Sequence, residues 1–273
     1  MTALRALQVG EIDFLYRMDA GQFFEDLAGP PSWFKDKYVK ASWYVPTFSY
    51  VGWNMLKPKF QDRRVRTALA LLFDRKEFVD KKLHGEAVLV SGSAYYFSKF
   101  YDHEVKPLGY APDVARDLLA DAGWADTDND GLLDKGGQPF EFEFLMPPGN
   151  PVAEELAALF QKNLKQAGIR MNIGTTEWAS FIEKIRAKDF DAVTLAWIAP
   201  LESDPYQIWH SSGAGPDKRG SNHVSFASQQ ADALIELLRL TLDEEKRKHI
   251  HWSFHRVLDR EQPYLFLHTP KDF

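Results

Sequence analysis

The sequence contains no cysteine. Disulfides, cysteine-ligated zinc and thiol catalysis are therefore excluded. No apolar run approaches the roughly 20 residues of a membrane-spanning helix. There is no Lys/Arg block and the formal net charge is −6, so nothing points to nucleic acid as a partner. Neither a Walker loop nor a GxGxxG turn is present. Ser91-Gly92-Ser93 lacks the GxSxG frame of a nucleophile elbow. There is no internal repeat and no low-complexity segment. No secretory signal precedes the first amphipathic pattern, so an exported parent would have to be longer than this sequence.

What is present suits a globular chain. Its 273 residues are 45% hydrophobic and 26% charged, enough for one large or two ordinary domains with a real core. Residues 2–10 read as a helix stopped by Gly10, and 11–18 as a short strand. Residues 20–27 read as a second helix. Residues 43–55 are rich in aromatic and β-branched residues and read as extended, with Pro46 arguing against a central, fully paired position there. Asp62 is placed to cap a helix whose apolar face carries Val65, Leu69, Leu72 and Phe73. Arg63, Arg64 and Arg66 crowd its positive end, which suggests a structural ion-pair cluster. From residue 140 onward the order is strand, helix, strand, helix, strand, helix, helix, strand. That alternation indicates an α/β fold with a mixed sheet flanked by helices.

One stretch, residues 191–212, combines an apolar strand with a polar aromatic loop. Asp191 to Trp197 reads as a strand covered on both faces. Pro200, Glu202, Asp204 and Pro205 then break it, and Tyr206, Trp209 and His210 follow. Aromatics leaving a strand end can form a ligand wall or cap a core. The long loop 86–102, with Tyr95 and Tyr96, is a second aromatic candidate.

Residues 126–134, DTDNDGLLD, place Asp126, Asp128, Asp130 and Asp134 at positions 1, 3, 5 and 9 of a calcium loop, with Gly131 at the turn. Position 12 is Gly137 where a bidentate Glu belongs, so the alternative is a loop closed by Asx turns. His251 and His255 share a helix face at i, i+4, but no Glu adjoins His251 as in HExxH. A partly exposed helix face is the simpler expectation for them and His249. Glu202 and Asp204 could serve a hydrolase as acid and base, although lone loop carboxylates are usually structural.

Several segments together resemble the oligopeptide- and dipeptide-binding proteins that feed ABC importers. The opening ALRALQVGEIDF is similar to that family's helix-then-strand segment. In residues 54–79 the matching positions are Asn54, Pro58, Phe60, Asp62, Val65, Arg66, Ala68, Leu69, Asp74 and Arg75. Leu118-Leu119, Ala122-Gly123-Trp124, Gly168-Ile169, Glu177-Trp178, Phe190-Asp191-Ala192, Trp197, Asp204-Pro205 and Asn222 continue the series.

The resemblance implies a periplasmic-binding-protein-like lobe. Residues 1–50 would be a remnant of a first lobe and 51–273 the C-terminal ligand-binding lobe. It implies a non-catalytic solute-binding component of an ABC importer, periplasmic or extracellular and membrane-associated, as a lipoprotein or secreted. Its partners would be a membrane permease, the missing first lobe and a peptide or small-molecule ligand. The ligand-binding residues would be Trp197, Glu202, Tyr206, Trp209, Asn222, Tyr95 and Tyr96. No cofactor is implied beyond the calcium considered above. In peptide-binding relatives an Asp soon after the strand-end Trp captures the ligand's α-amino group. Here Ile198, Ala199, Pro200 and Leu201 occupy those positions and Glu202 is the nearest carboxylate. Peptide is the first expectation; an oligosaccharide or another small solute, or a sensor without transport, is the alternative.

Overall fold

The computed structural model describes residues 2–18, 20–29 and 31–273. The chain opens with α1 (Ala3–Val9), capped by the Thr2 hydroxyl and closed by Gly10 in the left-handed region at φ 77°. Residues 11–18 are irregular, not a strand. Arg17 turns left-handed at φ 61°, Phe14 lies exposed, and Tyr16 meets its neighbour ring to ring, stacked on Trp43 at 5.8 Å, so the segment pairs with no strand among the described residues. The helix expected over 20–27 is one widened turn, Gln22–Asp26. A short α2 (Ser32–Lys35) follows.

Pro46 falls between β1 (Trp43–Tyr44) and β2 (Thr47–Trp53). Beyond it β2 is central after all, paired on both sides. Proline interrupts the ladder only at its own position, so the residues after it are free to pair. A division of the chain after residue 50 would cut this strand. Asp62 caps α3 (Arg63–Leu71), Asp74 caps α4 (Arg75–Lys82), and β3 (Ala87–Leu89), α5 (Pro112–Asp121), β4 (Asp134–Lys135) and β5 (Gln138–Pro139) come next. The alternating part consists of β6 (Glu141–Met146), α6 (Pro151–Gln166), β7 (Arg170–Thr175), α7 (Trp178–Ala187) and β8 (Ala192–Ile198). Then come α8 (Tyr206–Trp209), α9 (Gln229–Leu240), α10 (Glu244–Glu261), β9 (Tyr264–Phe266) and β10 (His268–Asp272).

The main sheet has the order β7-β6-β8-β2-β9. Its β7-β6-β8 half is parallel and its β8-β2-β9 half antiparallel, the mixed sheet expected from the sequence. A second sheet, β1-β10-β3, flanks it. Side chains of β2 alternate between two cores. Val51 and Trp53 pack with Phe60, Leu69, Phe73 and Phe160 on one face. Phe48 and Tyr50 pack with Phe181, Ile235, Phe254 and Leu258 on the other.

The arginine triplet is structural in part. Arg64 pairs with Asp62, its Nη2 2.6 Å from Oδ2. Arg66 is buried and donates to the carbonyls of Phe60, Gln61, Glu261 and Gln262, the last two at the C-terminal end of α10. A guanidinium there meets the negative end of the helix dipole. Burial drags its pKa down to about 10, so it remains charged.

Candidate functional site

The end of β8 is where the sheet opens. Asn54 N–H bonds to Asp191 O at 2.9 Å and Ala199 N–H to Pro46 O at 2.8 Å. With the register Tyr50↔Leu195 and Phe48↔Trp197, these bonds fix the parity of the ladder. Val193, Leu195 and Trp197 direct their backbone groups at β2, while Ala192, Thr194, Ala196 and Ile198 direct theirs the other way. On that other side β6 pairs only through Phe144↔Ala192 and Leu145↔Val193, and then leaves. Among the described residues, no strand accompanies Ala196 and Ile198 there. Both are exposed, so the strand expected to be covered on both faces is covered only in its first half.

Beside this half-edge lies a cavity of about 510 Å³. Its floor is a stack of rings. Tyr50 lies on Tyr264 with centroids 3.9 Å apart, and Trp197 lies parallel to Tyr50 at 6.4 Å and near-parallel to His223 at 5.9 Å. Trp197 is half-buried, and its indole N–H donates to the Tyr264 hydroxyl at 3.3 Å. The Tyr50 hydroxyl and His223 Nε2 are 3.1 Å apart. Burial, with Lys188 nearby, pushes the His223 pKa down to about 4, so the ring is neutral at pH 7. Ile182, Ile185 and Leu195 form the walls, and Arg186, Gln207, Arg219 and Ser221 also line the cavity. A smaller recess of about 200 Å³ shares Trp178, Leu195 and Ala196 with it. Trp178, which opens α7, is 56% exposed.

Of the aromatics singled out in the sequence, Trp197 alone lines this cavity. Trp209 is a core residue, packed on Tyr264 at 4.6 Å and against Phe226 and Phe254. Asn222 is fully buried. Its Nδ2 donates to the carbonyls of His210 and Phe226 and its Oδ1 accepts from Phe226 N–H, so it pins a loop and has no surface to offer a ligand. Tyr206 stacks on His210 at 4.2 Å, with the Arg239 guanidinium 4.5 Å from its ring. Tyr95 donates to Tyr44 O at 3.4 Å, and Tyr96 packs among Phe97, Tyr101 and His103. Their loop meets the β8 loop through a hydrogen bond from the Ser98 hydroxyl to Leu201 O.

Glu202 is already engaged. It forms an ion pair with Arg247 and lies 3.5 Å from His251 Nε2. Asp204 pairs with Arg239 at 3.2 Å. Neither carboxylate faces the cavity under Trp197. His251 and His255 are buried, contrary to the exposed helix face expected, because α10 turns them toward loop 86–102. His255 Nδ1 accepts from Asp102 N–H at 3.2 Å, which places the ring proton on Nε2. That proton goes to the Ser91 hydroxyl at 2.9 Å, and Ser91 donates to Val105 O. The histidine therefore gives Ser91 a proton and cannot take one, so the pair has the wrong polarity for a nucleophile and base.

Asp126, Asp128 and Asp130 present ligand atoms within 4.8 Å of one another, all exposed. Asp134 does not join them. Its carboxylate accepts from Thr127 N–H and from the Thr127 hydroxyl, because it belongs to β4 and faces back along the loop. The other three accept backbone N–H groups of Gly131, Asp130 and Leu132.

An open strand end beside an aromatic cavity edged by two arginines is the candidate ligand site of this α/β domain. Residues 1–219 match the family model described as "Bacterial extracellular solute-binding proteins, family 5 Middle". The chain belongs to the family 5 bacterial extracellular solute-binding proteins. It is 32% identical over 230 residues to the oligopeptide-binding protein AppA of Bacillus subtilis, covering 83% of this chain and 42% of that protein. It is 26% identical over 226 residues to di/tripeptide-binding protein 2 of Pseudomonas aeruginosa, covering 82% and 41%. The solved structure of B. subtilis AppA in complex with a nonapeptide aligns with a TM-score of 0.86 at 30% identity, over 99% of this chain and 52% of that one. NikZ from Campylobacter jejuni in complex with Ni(L-His) shares the fold, with a TM-score of 0.79 at 21% identity over 98% of this chain and 52% of that one. The chain thus spans about half the length of the relatives it matches.

Sequence reasoning missed Tyr50, Trp178, His223 and the two arginines. Tyr50 was within reach, since a seven-residue apolar strand next to β8 places a diagonal partner under Trp197. Nothing local marks Arg186, Arg219 or His223.

Proposed function

We propose that this chain forms one wall of a peptide-binding cleft in the solute-binding component of an ABC importer, working outside the cytoplasmic membrane. The observation that carries this reading is the free half-edge of β8 at Ala196 and Ile198, open beside the Trp197 cavity. An extended peptide can add to such an edge as a further strand. Its backbone then supplies hydrogen bonds that ignore side-chain identity, and alternate side chains drop toward the cavity. The peptide names of the B. subtilis and P. aeruginosa relatives agree with it.

The same reading assigns no catalysis. Glu202 and Asp204 are each held by an arginine, and Ser91 is held by a proton-donating histidine. Its partners are a membrane permease and the part of the relatives' length that this chain does not span. Residues up to Pro46 belong with that part, and those from Thr47 onward with the wall. The protein is periplasmic, or extracellular and membrane-associated. The direct test is mass spectrometry of small molecules extracted from the purified protein. A ladder of peptides supports the reading, and a single sugar or metal chelate would sink it.

A further inference from the structure

Resting on the peptide-wall reading, we propose that the cavity under Trp197 is a specificity pocket. It takes a large apolar side chain with a neighbouring carboxylate and rejects a cationic neighbour. The volume of about 510 Å³ exceeds what any single side chain fills. The floor and walls, Tyr50, Trp197, His223, Ile182, Ile185 and Leu195, offer apolar and flat surface with no formal charge at neutral pH. The charged groups that line the cavity are Arg186 and Arg219, and no carboxylate lines it among the described residues.

Among the described residues Glu183 is the acid that pairs with these arginines, while Asp189, which lines a neighbouring recess with Arg219, pairs with Lys184. Glu183 is shared between the two arginines, 3.0 Å from Arg186 and 4.0 Å from Arg219. All three side chains are more than half exposed. One carboxylate between two guanidiniums leaves a net positive charge and spare N–H donors that a ligand carboxylate could use. Glu202 and Asp204, which could have received a ligand cation, line a different recess and are tied to Arg247 and Arg239. A lysine or arginine seated beside the pocket therefore meets like charge without a counter-charge, which is how a site discriminates by repulsion.

The test uses alanine heptapeptides, acetylated and amidated, with a central Phe-Glu, Phe-Gln, Phe-Lys or Ala-Ala pair. Heptapeptides can slide to their best register, and blocked ends leave the side chains as the variable. A fifth peptide, all alanine with a free carboxyl end, separates a terminal carboxylate from an acidic side chain as the anion. Affinities are read by NMR titration of the full chain. Phe-Glu should bind about fivefold tighter than Phe-Lys at low ionic strength. That ratio should fall toward one in 0.5 M salt and in the Arg186→Gln/Arg219→Gln double variant, and in the unsubstituted chain Phe-Gln should bind more tightly than Ala-Ala. The proposal is overturned if Phe-Lys binds as well as Phe-Glu, or if the preference survives the double substitution. Binding of none of the five would instead overturn the peptide reading on which the proposal rests.

Discussion

The ring of Trp197 lies 7° from parallel to that of Tyr50, and its indole N–H reaches the Tyr264 hydroxyl at 3.3 Å. One aromatic thus belongs to the core by its N–H and to the cavity by its face.

That division separates the two tryptophans of the stretch. Trp197→Leu should weaken ligand binding by roughly tenfold and cost about 1 kcal/mol of stability, since it loses the ring contacts with Tyr50 and His223 and one hydrogen bond. Trp209→Leu should leave a core cavity and cost about 3 kcal/mol. Chemical denaturation beside ligand titration checks both. Equal stability losses would mean that Trp197 is a core residue after all.

The parity of β8 makes a sharper contrast between neighbours. Ala196→Pro removes an N–H that has no partner among the described residues, so the fold should tolerate it while peptide binding is lost. Leu195→Pro removes an N–H directed at Tyr50 and breaks a central ladder, at about 3 kcal/mol or more. Thermal melts that rank the two in the opposite order would show the register to be wrong.

Four buried histidines whose pKa burial lowers, His223, His251, His255 and His268, set the pH response. Burial pushes His223, His255 and His268 each down to about 4, below their unfolded value near 6.5. Between those values the unfolded chain binds more protons than the folded one. Stability therefore rises with pH through that window, is complete above about 6.5 and is lost progressively toward 4. The melting temperature should fall steadily from pH 7 to pH 4.5, and His255→Asn should flatten the slope. A flat wild-type profile would show that these rings are protonated in the folded state.

Gly92 lies against His255, where an added Cβ would sit well inside van der Waals contact of the imidazole. Gly92→Ala should displace loop 86–102 and cost about 2 kcal/mol. Ser91→Ala should cost only about 1 kcal/mol and create or remove no hydrolytic activity. Peptide or ester turnover abolished by Ser91→Ala would contradict the proton direction at His255.

For residues 126–134 we propose closure by the loop's own N–H groups. Chelation with EDTA should then leave the melting temperature unchanged. A drop that calcium alone restores would establish a metal clip at Asp126, Asp128 and Asp130.

Much of the fold was legible because it rests on local rules. Asp62, Asp74 and Gly10 sit where caps belong, and the strand-helix alternation after residue 140 gave a mixed sheet. The errors have a common cause. Residues 11–18 carry an extended pattern but pair with no strand among the described residues, and Pro46 bears only on its own position, not on what flanks β2. At the site, composition singled out Trp197, Trp209 and Tyr206, and the family resemblance added Asn222. Which of them faces open space depends on the turn after β8 and on the register with β2, and neither is written in a run of residue types. Glu202 read as a free carboxylate because Arg247 lies 45 residues further along the chain. The pocket arginines stand on α7 and on the loop before Asn222, brought together only by the fold.

The most direct measurement is amide hydrogen exchange along β8, with and without a saturating alanine peptide. The N–H groups of Leu195 and Trp197 should be protected in both conditions. Those of Ala196 and Ile198 should exchange freely in the empty protein and become protected when peptide is added. Protection of Ala196 and Ile198 before any peptide is present, or no gain at saturation, would contradict a peptide strand added at this edge.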